Sequence, residues 1–286
     1  MTAAEESVRA GRLDDALADL QAQVRKKPAE ARLRTFLFQL LAVRGEWDRA
    51  LTQLKVAGEL DPASMSMVQT YQEALRCEVL RGEVFAGKRT PLLFGKPSEW
   101  MALLVQALSL SAAGKFEEAR QLRDKAFEDA PGTTGKIDGQ PFAWIADADP
   151  RLGPQLEAIV NGRYYWIPFS RLKEVRVEKP TDLRDVAWLP VNLLLANGGE
   201  TVALVPTRYP GSEKATDPRV IMARSTEWVA HPGETFLGLG QRLLATDQGE
   251  FPLMDVRSIQ LDSVETDDAA DAPAPGPSVE DAAGPA

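Results

Sequence analysis

Gly45-Glu-Trp47-Asp-Arg-Ala50, followed by Pro62, carries the strongest fold signal in this 286-residue chain. The same rhythm recurs at Gly11-Arg-Leu13-Asp-Asp-Ala16 with Pro28, and at Gly114-Lys-Phe116-Glu-Glu-Ala119 with Pro131. In all three, a large apolar residue follows the glycine by two positions, alanine by five and proline by seventeen. The first two glycines are 34 residues apart. A glycine tolerates the left-handed backbone that ends a helix. The large residue and the alanine then face a neighbouring helix, with the alanine small where the two helices cross closely. Proline stops the second helix and pre-sets the entry to the next pair.

That period is the tetratricopeptide one, a stack of helix pairs. The flanks agree. Residues 31–44 place Leu33, Phe36, Leu37, Leu40 and Leu41 at helical spacing, with 46–58 as the partner helix. Residues 98–112 and 115–130 form a further pair. Between them, 65–81 is amphipathic through Val68, Tyr71, Leu75 and Val79. Gly82-Glu-Val84-Phe85-Ala-Gly87 reads as a decayed repeat with Gly87 at the alanine position, its second helix lost into 88–97. The first repeat is clipped, with only 2–10 left for its first helix. The sequence thus predicts six or seven helices over residues 1–131.

Beyond Pro131 the pattern changes. Residues 132–162 read as a linker: 132–140 is polar and glycine-rich, and 150–160 suits one short helix. From 163 to 261 the chain reads as strands at 164–169, 172–178, 186–195, 201–206, 220–224, 226–229, 236–244 and 252–260. Asn197-Gly198-Gly199 supplies a hairpin turn. Many short strands with turn signals predict a small barrel or sandwich. The fold class expected is therefore α+β, a helical array followed by a β-rich domain. The tail, 262–286, is rich in Asp, Ala, Pro and Gly, lacks aromatics and is expected to be disordered.

Formal net charge is -9, but the tail alone holds seven acids and no Lys or Arg. Residues 1–261 then carry 35 acids against 33 bases, a near-neutral body with no basic excess for nucleic acid. No signal peptide and no run of about 20 apolar residues is present, so membrane insertion is not expected and a cytoplasmic address is. Cys77 is the only cysteine and reads as a small buried apolar residue. His231 is the only histidine. One Cys and one His cannot build a zinc site. No phosphate-binding glycine loop occurs. No cofactor and no catalytic site is expected. Asp147 and Asp149 could hold a hard cation, though Asp149-Pro150 more simply starts a helix at Arg151. Trp166 and Trp188 suit a β core better than a recognition face.

What remains is binding. In a tetratricopeptide stack the first helix of each pair lines the hollow face. Counting back from each glycine points Arg32, Thr35 and Gln39 inward, then Gln69, Gln72 and Arg76, then Met101, Leu104 and Leu108. The mixed surface suits an amphipathic helix laid in a groove. The alternatives are that Leu104 and Leu108 pack inside the chain, or that the array is a general peptide-binding scaffold or co-chaperone. The latter would need a cationic clamp, for which this register offers only Arg32 and Arg76.

Several segments carry a more specific resemblance: Arg44-Gly-Glu-Trp-Asp-Arg-Ala50, Phe142-Ala-Trp144, Asp147-Ala-Asp149-Pro-Arg-Leu-Gly-Pro154, Gly162-Arg-Tyr-Tyr-Trp-Ile-Pro168 and Pro206-Thr-Arg-Tyr-Pro210. With them, residues 5–260 resemble the ImpE/TagJ family of type VI secretion accessory proteins. The resemblance implies a non-enzymatic adaptor. It further implies likeness to proteins that bind the N-terminal helix of the small contractile-sheath subunit, TssB, and a link to ClpV, the AAA+ ATPase that recycles contracted sheath. It transfers no catalytic or binding residue. The acidic tail is not part of it.

Overall fold

The structure, a computed structural model, describes residues 2–262. The tail beyond that point lies outside the described residues. Seven helices form the front of the chain: α1 (Ala3–Arg9), α2 (Leu13–Lys26), α3 (Ala31–Val43), α4 (Trp47–Leu60), α5 (Met65–Phe85), α6 (Glu99–Ala112) and α7 (Phe116–Asp129). The repeat rhythm sets their ends. At Gly45, the glycine N–H donates to Ala42 O and the next N–H, of Glu46, donates to Leu41 O. This pair of bonds satisfies the last carbonyls of α3 and needs a left-handed residue between helix and turn. The same two bonds recur at Gly11, Gly87 and Gly114. Ala16, Ala50 and Ala119 are completely buried at the helix crossings.

The decayed repeat reads differently in three dimensions. Helix α5 runs straight through Gly82 to Phe85 and closes at Gly87, so Gly87 is the terminating glycine and not a displaced alanine. No helix follows it. Residues 88–97 instead cross to the sheet, where Leu92–Leu93 form strand β1, parallel to residues 165–166.

Among the described residues the rear half holds thirteen further strands. They are β2 (Gly135–Ile137), β3 (Gln140–Phe142), β4 (Ile145–Asp147), β5 (Gln155–Val160), β6 (Arg163–Pro168), β7 (Leu172–Val177), β8 (Trp188–Leu195), β9 (Glu200–Pro206), β10 (Thr226–His231), β11 (Thr235–Gly240), β12 (Leu243–Thr246), β13 (Gly249–Pro252) and β14 (Ser258–Leu261). Nine strands make one sheet in the order β1-β6-β5-β9-β8-β7-β14-β2-β3. Strands β13-β12-β4 make a second sheet, and β10-β11 a separate hairpin. Apart from β1, the pairings are antiparallel. The chain is thus α+β.

Three expectations fail here. The stretch 132–162, read as a linker with a short helix, carries β2 to β5 and begins the sheets. Residues 150–160 were misleading because β5 is buried along its whole length, Gln155 and Glu157 included, so no polar alternation marks it as a strand. Asp149 does not start a helix. Its side chain caps a turn by accepting from Arg151 N, and β5 follows directly. Residues 220–224 are not a strand either, because Asp217-Pro218 starts a short helix, α8 (Pro218–Ile221), with the Asp217 side chain accepting from Arg219 N.

Strand alternation divides the apolar residues between two cores. Leu156, Ala158, Ile167, Leu189, Val191 and Val205 face the interior of the β half. Ile159, Tyr164, Trp166, Trp188 and Leu204, on the opposite face of the same strands, join the helical core with Phe38, Leu41, Leu75 and Val84. Trp166 and Trp188 are fully buried at this seam. The Trp188 ring lies 5.7 Å from that of Tyr71 on α5 and 6.1 Å from that of Trp47 on α4, and Trp166 lies 6.0 Å from Phe85.

Buried charge crosses the seam as well. Arg81 on α5 forks onto Glu157 of β5 at 2.8 and 3.0 Å and donates to Arg208 O at 2.8 Å. Arg242 reaches Glu157 from the other side at 2.9 Å. Tyr164 donates a further bond to Glu157. Trp188 Nε1 donates to Glu78 at 3.0 Å. Arg208 Nη1 donates to Val43 O, the end of α3, at 2.8 Å. Burial alone would raise the Glu157 carboxyl, but the Arg81 and Arg242 guanidiniums outweigh it and hold it at about 2.

Two measurements test this account. Gly45 has φ 71°, and a Cβ there would run into the Glu213 side chain. Gly114 has φ 77° with open space around it. Gly114→Ala should therefore cost only the left-handed penalty, about 1–2 kcal/mol, and Gly45→Ala distinctly more. Equal losses in chemical denaturation would contradict the packing of Glu213 on the repeat turn. At neutral pH, Glu157→Gln should cost about 3–5 kcal/mol by stranding buried arginines. Because the folded-state value of Glu157 is depressed, its stabilisation is present above about 4.5 and fades as pH falls toward 2. The stability gap between the natural chain and E157Q should close over that window. A constant gap would show that Glu157 is not ionised in the fold.

Candidate protein-binding groove

The amino-terminal half of α3 is only partly covered by the rest of the chain. A groove of about 1050 Å³ opens there. Arg32, Thr35 and Gln39 lie at helical spacing along one face of α3 and line it together. The Thr35 hydroxyl is turned back onto Ala31 O at 3.2 Å. Leu33, Phe36 and Met67 supply apolar lining, and each also packs on the helical core.

The opposite wall comes from distant sequence. Thr181, Asp182 and Leu183 line the groove at the start of a 3-10 turn, Leu183–Val186. That turn is held by reciprocal Asp182 and Asp185 caps. Asp185 Oδ2 also accepts from the N–H groups of Thr181 and Asp182. Arg184 spreads over the Tyr71 ring at 4.8 Å and pairs with Asp182 at 2.6 Å, fixing the turn against α5. Charge around the groove is mixed. Lys26, Lys27 and Arg32 stand with Glu5, Glu30, Asp61 and Asp182. Lys27 pairs with Glu30 at 3.2 Å.

The nine positions singled out in the sequence do not share one surface. Arg32, Thr35 and Gln39 come together as expected. Gln69 and Arg76 are exposed and Gln72 half-buried on α5, outside the groove lining, and Arg76 pairs with Glu73 at 2.6 Å. Met101 and Leu104 are 1 % exposed and pack with Trp100 and Ala126, while Leu108, 3 % exposed, belongs to the helical core. These three are corrected to core residues, because the β half and α7 cover the face that repeat geometry turns toward a partner. The sequence register missed Lys26, Lys27 and residues 181–183. The two lysines end α2, directly before Pro28, and were legible as a helix end. Residues 181–183 carry no local signal that ties them to α3.

Asp147 and Asp149 do not form an open acidic pair. Arg242 grips Asp147 at 2.7 and 3.0 Å, and Arg151 grips Asp149 through Nε at 2.9 Å. Asp149 also accepts from Gly238 N at 2.8 Å. Burial pushes the Asp147 carboxyl up to about 6 against the pull of Arg242. His231 stacks on Phe116, with ring centres 4.4 Å apart. Among the described residues no hydrogen bond or ion pair joins it to either aspartate, and no cluster of three or more His, Cys, Asp or Glu could hold a metal ion. No helix among them is long and apolar enough to cross a membrane.

Similar proteins share this architecture and sequence. The ImpE protein family profile matches residues 139–260. The type VI secretion system accessory component TagJ of Pseudomonas aeruginosa is 56% identical over 259 residues, covering 91% of each chain. The crystal structure of protein VPA1032 from Vibrio parahaemolyticus superposes with a TM-score of 0.83 at 22% identity, over 93% of this chain and 98% of that one. At that identity the Vibrio protein speaks for the fold alone, whereas the Pseudomonas relative spans array, seam and sheets alike. This chain belongs to the ImpE/TagJ family of type VI secretion accessory proteins.

Proposed function

We propose that this protein is a cytoplasmic, non-enzymatic adaptor of the type VI secretion system. In this reading its α3 groove takes the amphipathic N-terminal helix of the sheath subunit TssB, and the adaptor associates with the ATPase ClpV. The observation that carries the reading is the groove itself. It lines one hollow with half-buried apolar residues (Leu33, Phe36, Met67) and polar ones (exposed Arg32, half-buried Thr35, buried Gln39), the two-sided chemistry an amphipathic helix needs. Family membership supports an accessory role. The non-enzymatic reading is supported by aspartates committed to arginines and a histidine stacked on a ring.

A second reading has one observation in its favour. Lys26 and Lys27 join Arg32 at the groove, and such a cluster suits a peptide carboxylate, as in a co-chaperone.

The two readings separate in one experiment. Full-length protein should retain TssB in a pulldown and lose it when the TssB N-terminal helix is deleted. Arg32→Glu should weaken binding about tenfold or more, the scale of one lost charge-assisted contact, while Arg76→Glu should leave it unchanged. Retention of TssB without its helix would remove the groove from the mechanism. Equal sensitivity at Arg76 would place the contact on the outer face of α5.

A further inference from the structure

A second concave site lies at the far end of the array from the groove. The end of α7 and the residues after it, Phe127, Ala130 and Thr133, face Trp144, Pro150 and Pro154 across a cleft of about 400 Å³. Its floor is close-packed, since the Phe127 ring lies directly on the Gly153 backbone, where any Cβ would strike it. Phe127 and Trp144 are 39% and 43% exposed, two of the few large apolar side chains the fold leaves uncovered. The one carboxylate in the lining, Asp147, is buried and turned to Arg242. Ring faces and prolines without charge form the kind of surface that recognises proline-rich chain.

The last described residue, Asp262, lies beside this cleft, and a proline-rich run follows it in the sequence. Asp262 N donates to Thr134 O at 2.9 Å, and Thr134 Oγ1 donates to Asp262 Oδ2 at 2.8 Å. Thr134 directly follows Thr133, which lines the cleft. Residues 272–277, Ala-Pro-Ala-Pro-Gly-Pro, then follow nine residues after Asp262. Those nine span at most about 30 Å extended and on the order of 15–18 Å as a coil, enough to fold back. The run carries no charge, while acids flank it at Asp271 and Glu280. Proline has its φ already set, so seating it costs little backbone entropy.

We propose that residues 272–277 of this chain dock in the cleft between Phe127 and Trp144. The short connection holds the run at a local concentration in the millimolar range, so even an intrinsic Kd of about 1 mM leaves the cleft roughly half filled. The site is separate from the α3 groove and does not rest on the sheath reading.

The test uses the full chain with a nitroxide at Ser278→Cys. Cys77 does not compete for the label: its thiol is buried, bonded to Gly162 O and pushed up to about 12 by burial. The indole N–H signal of Trp144, identified by its loss in Trp144→Phe, should fall by about half in the oxidised sample. It should recover when Pro273, Pro275 and Pro277 are all replaced by serine. An unchanged Trp144 signal would overturn the proposal, as would a loss that survives the triple replacement. Broadening that also appears when labelled and isotope-enriched chains are separate molecules would assign the contact to a second copy and overturn the intramolecular one.

Discussion

The Arg81–Glu157 fork is the interaction on which the rest of the structure depends. It joins the C-terminal part of the longest helix to an interior strand of the nine-stranded sheet, across 76 residues of sequence. Arg242 and Tyr164 complete the coordination of Glu157, and Glu78 anchors Trp188 one turn earlier on α5. Each of these groups lies out of water, where an incompletely paired charge is heavily penalised. Only one placement of the helices on the sheet satisfies them all, so the network fixes the orientation of the two halves. The surrounding aromatic rings supply the attraction between them.

That docking explains why the binding surface is small. A tetratricopeptide stack ordinarily offers its whole hollow to a ligand. Here the C-terminal ends of α3 and α5 face Arg208, Trp188 and Trp166 instead, and α6 is covered by the helical core and α7. The part left open is the front of α3, walled by the turn at 181–183. One face of the array therefore divides its work, internal assembly at one end and a partly open hollow of polar and apolar side chains at the other.

Much of this was legible before any coordinates. Glycine, alanine and proline offsets located the helices because each of those residues answers a local backbone demand: a left-handed end, a tight crossing, a stop. Asn197-Gly198-Gly199 located the β8–β9 hairpin for the same reason. The misreadings share one cause. Gln155 and Glu157 look exposed by composition, yet β5 is buried on both faces and Glu157 is paired with arginines from elsewhere. Gly87 looked like a faulty alanine because the strand that replaces the missing helix pairs with residues more than 70 positions later. The groove was half legible. Helical spacing gave Arg32, Thr35 and Gln39, whereas the covering of Met101, Leu104 and Leu108 is set by tertiary packing that a repeat register does not contain.

The bond from Arg208 to the end of α3 links residues 165 positions apart. On a ribosome adding about 5–20 residues per second, the carbonyl of Val43 waits on the order of 10–30 s before its guanidinium is even made. The early helices can pair with one another in that interval, but Tyr71 and Trp47 stay without the indole of Trp188. A nascent chain stalled near residue 131 would thus display an adhesive aromatic surface, and this is the stage of biogenesis at which chaperone demand should peak.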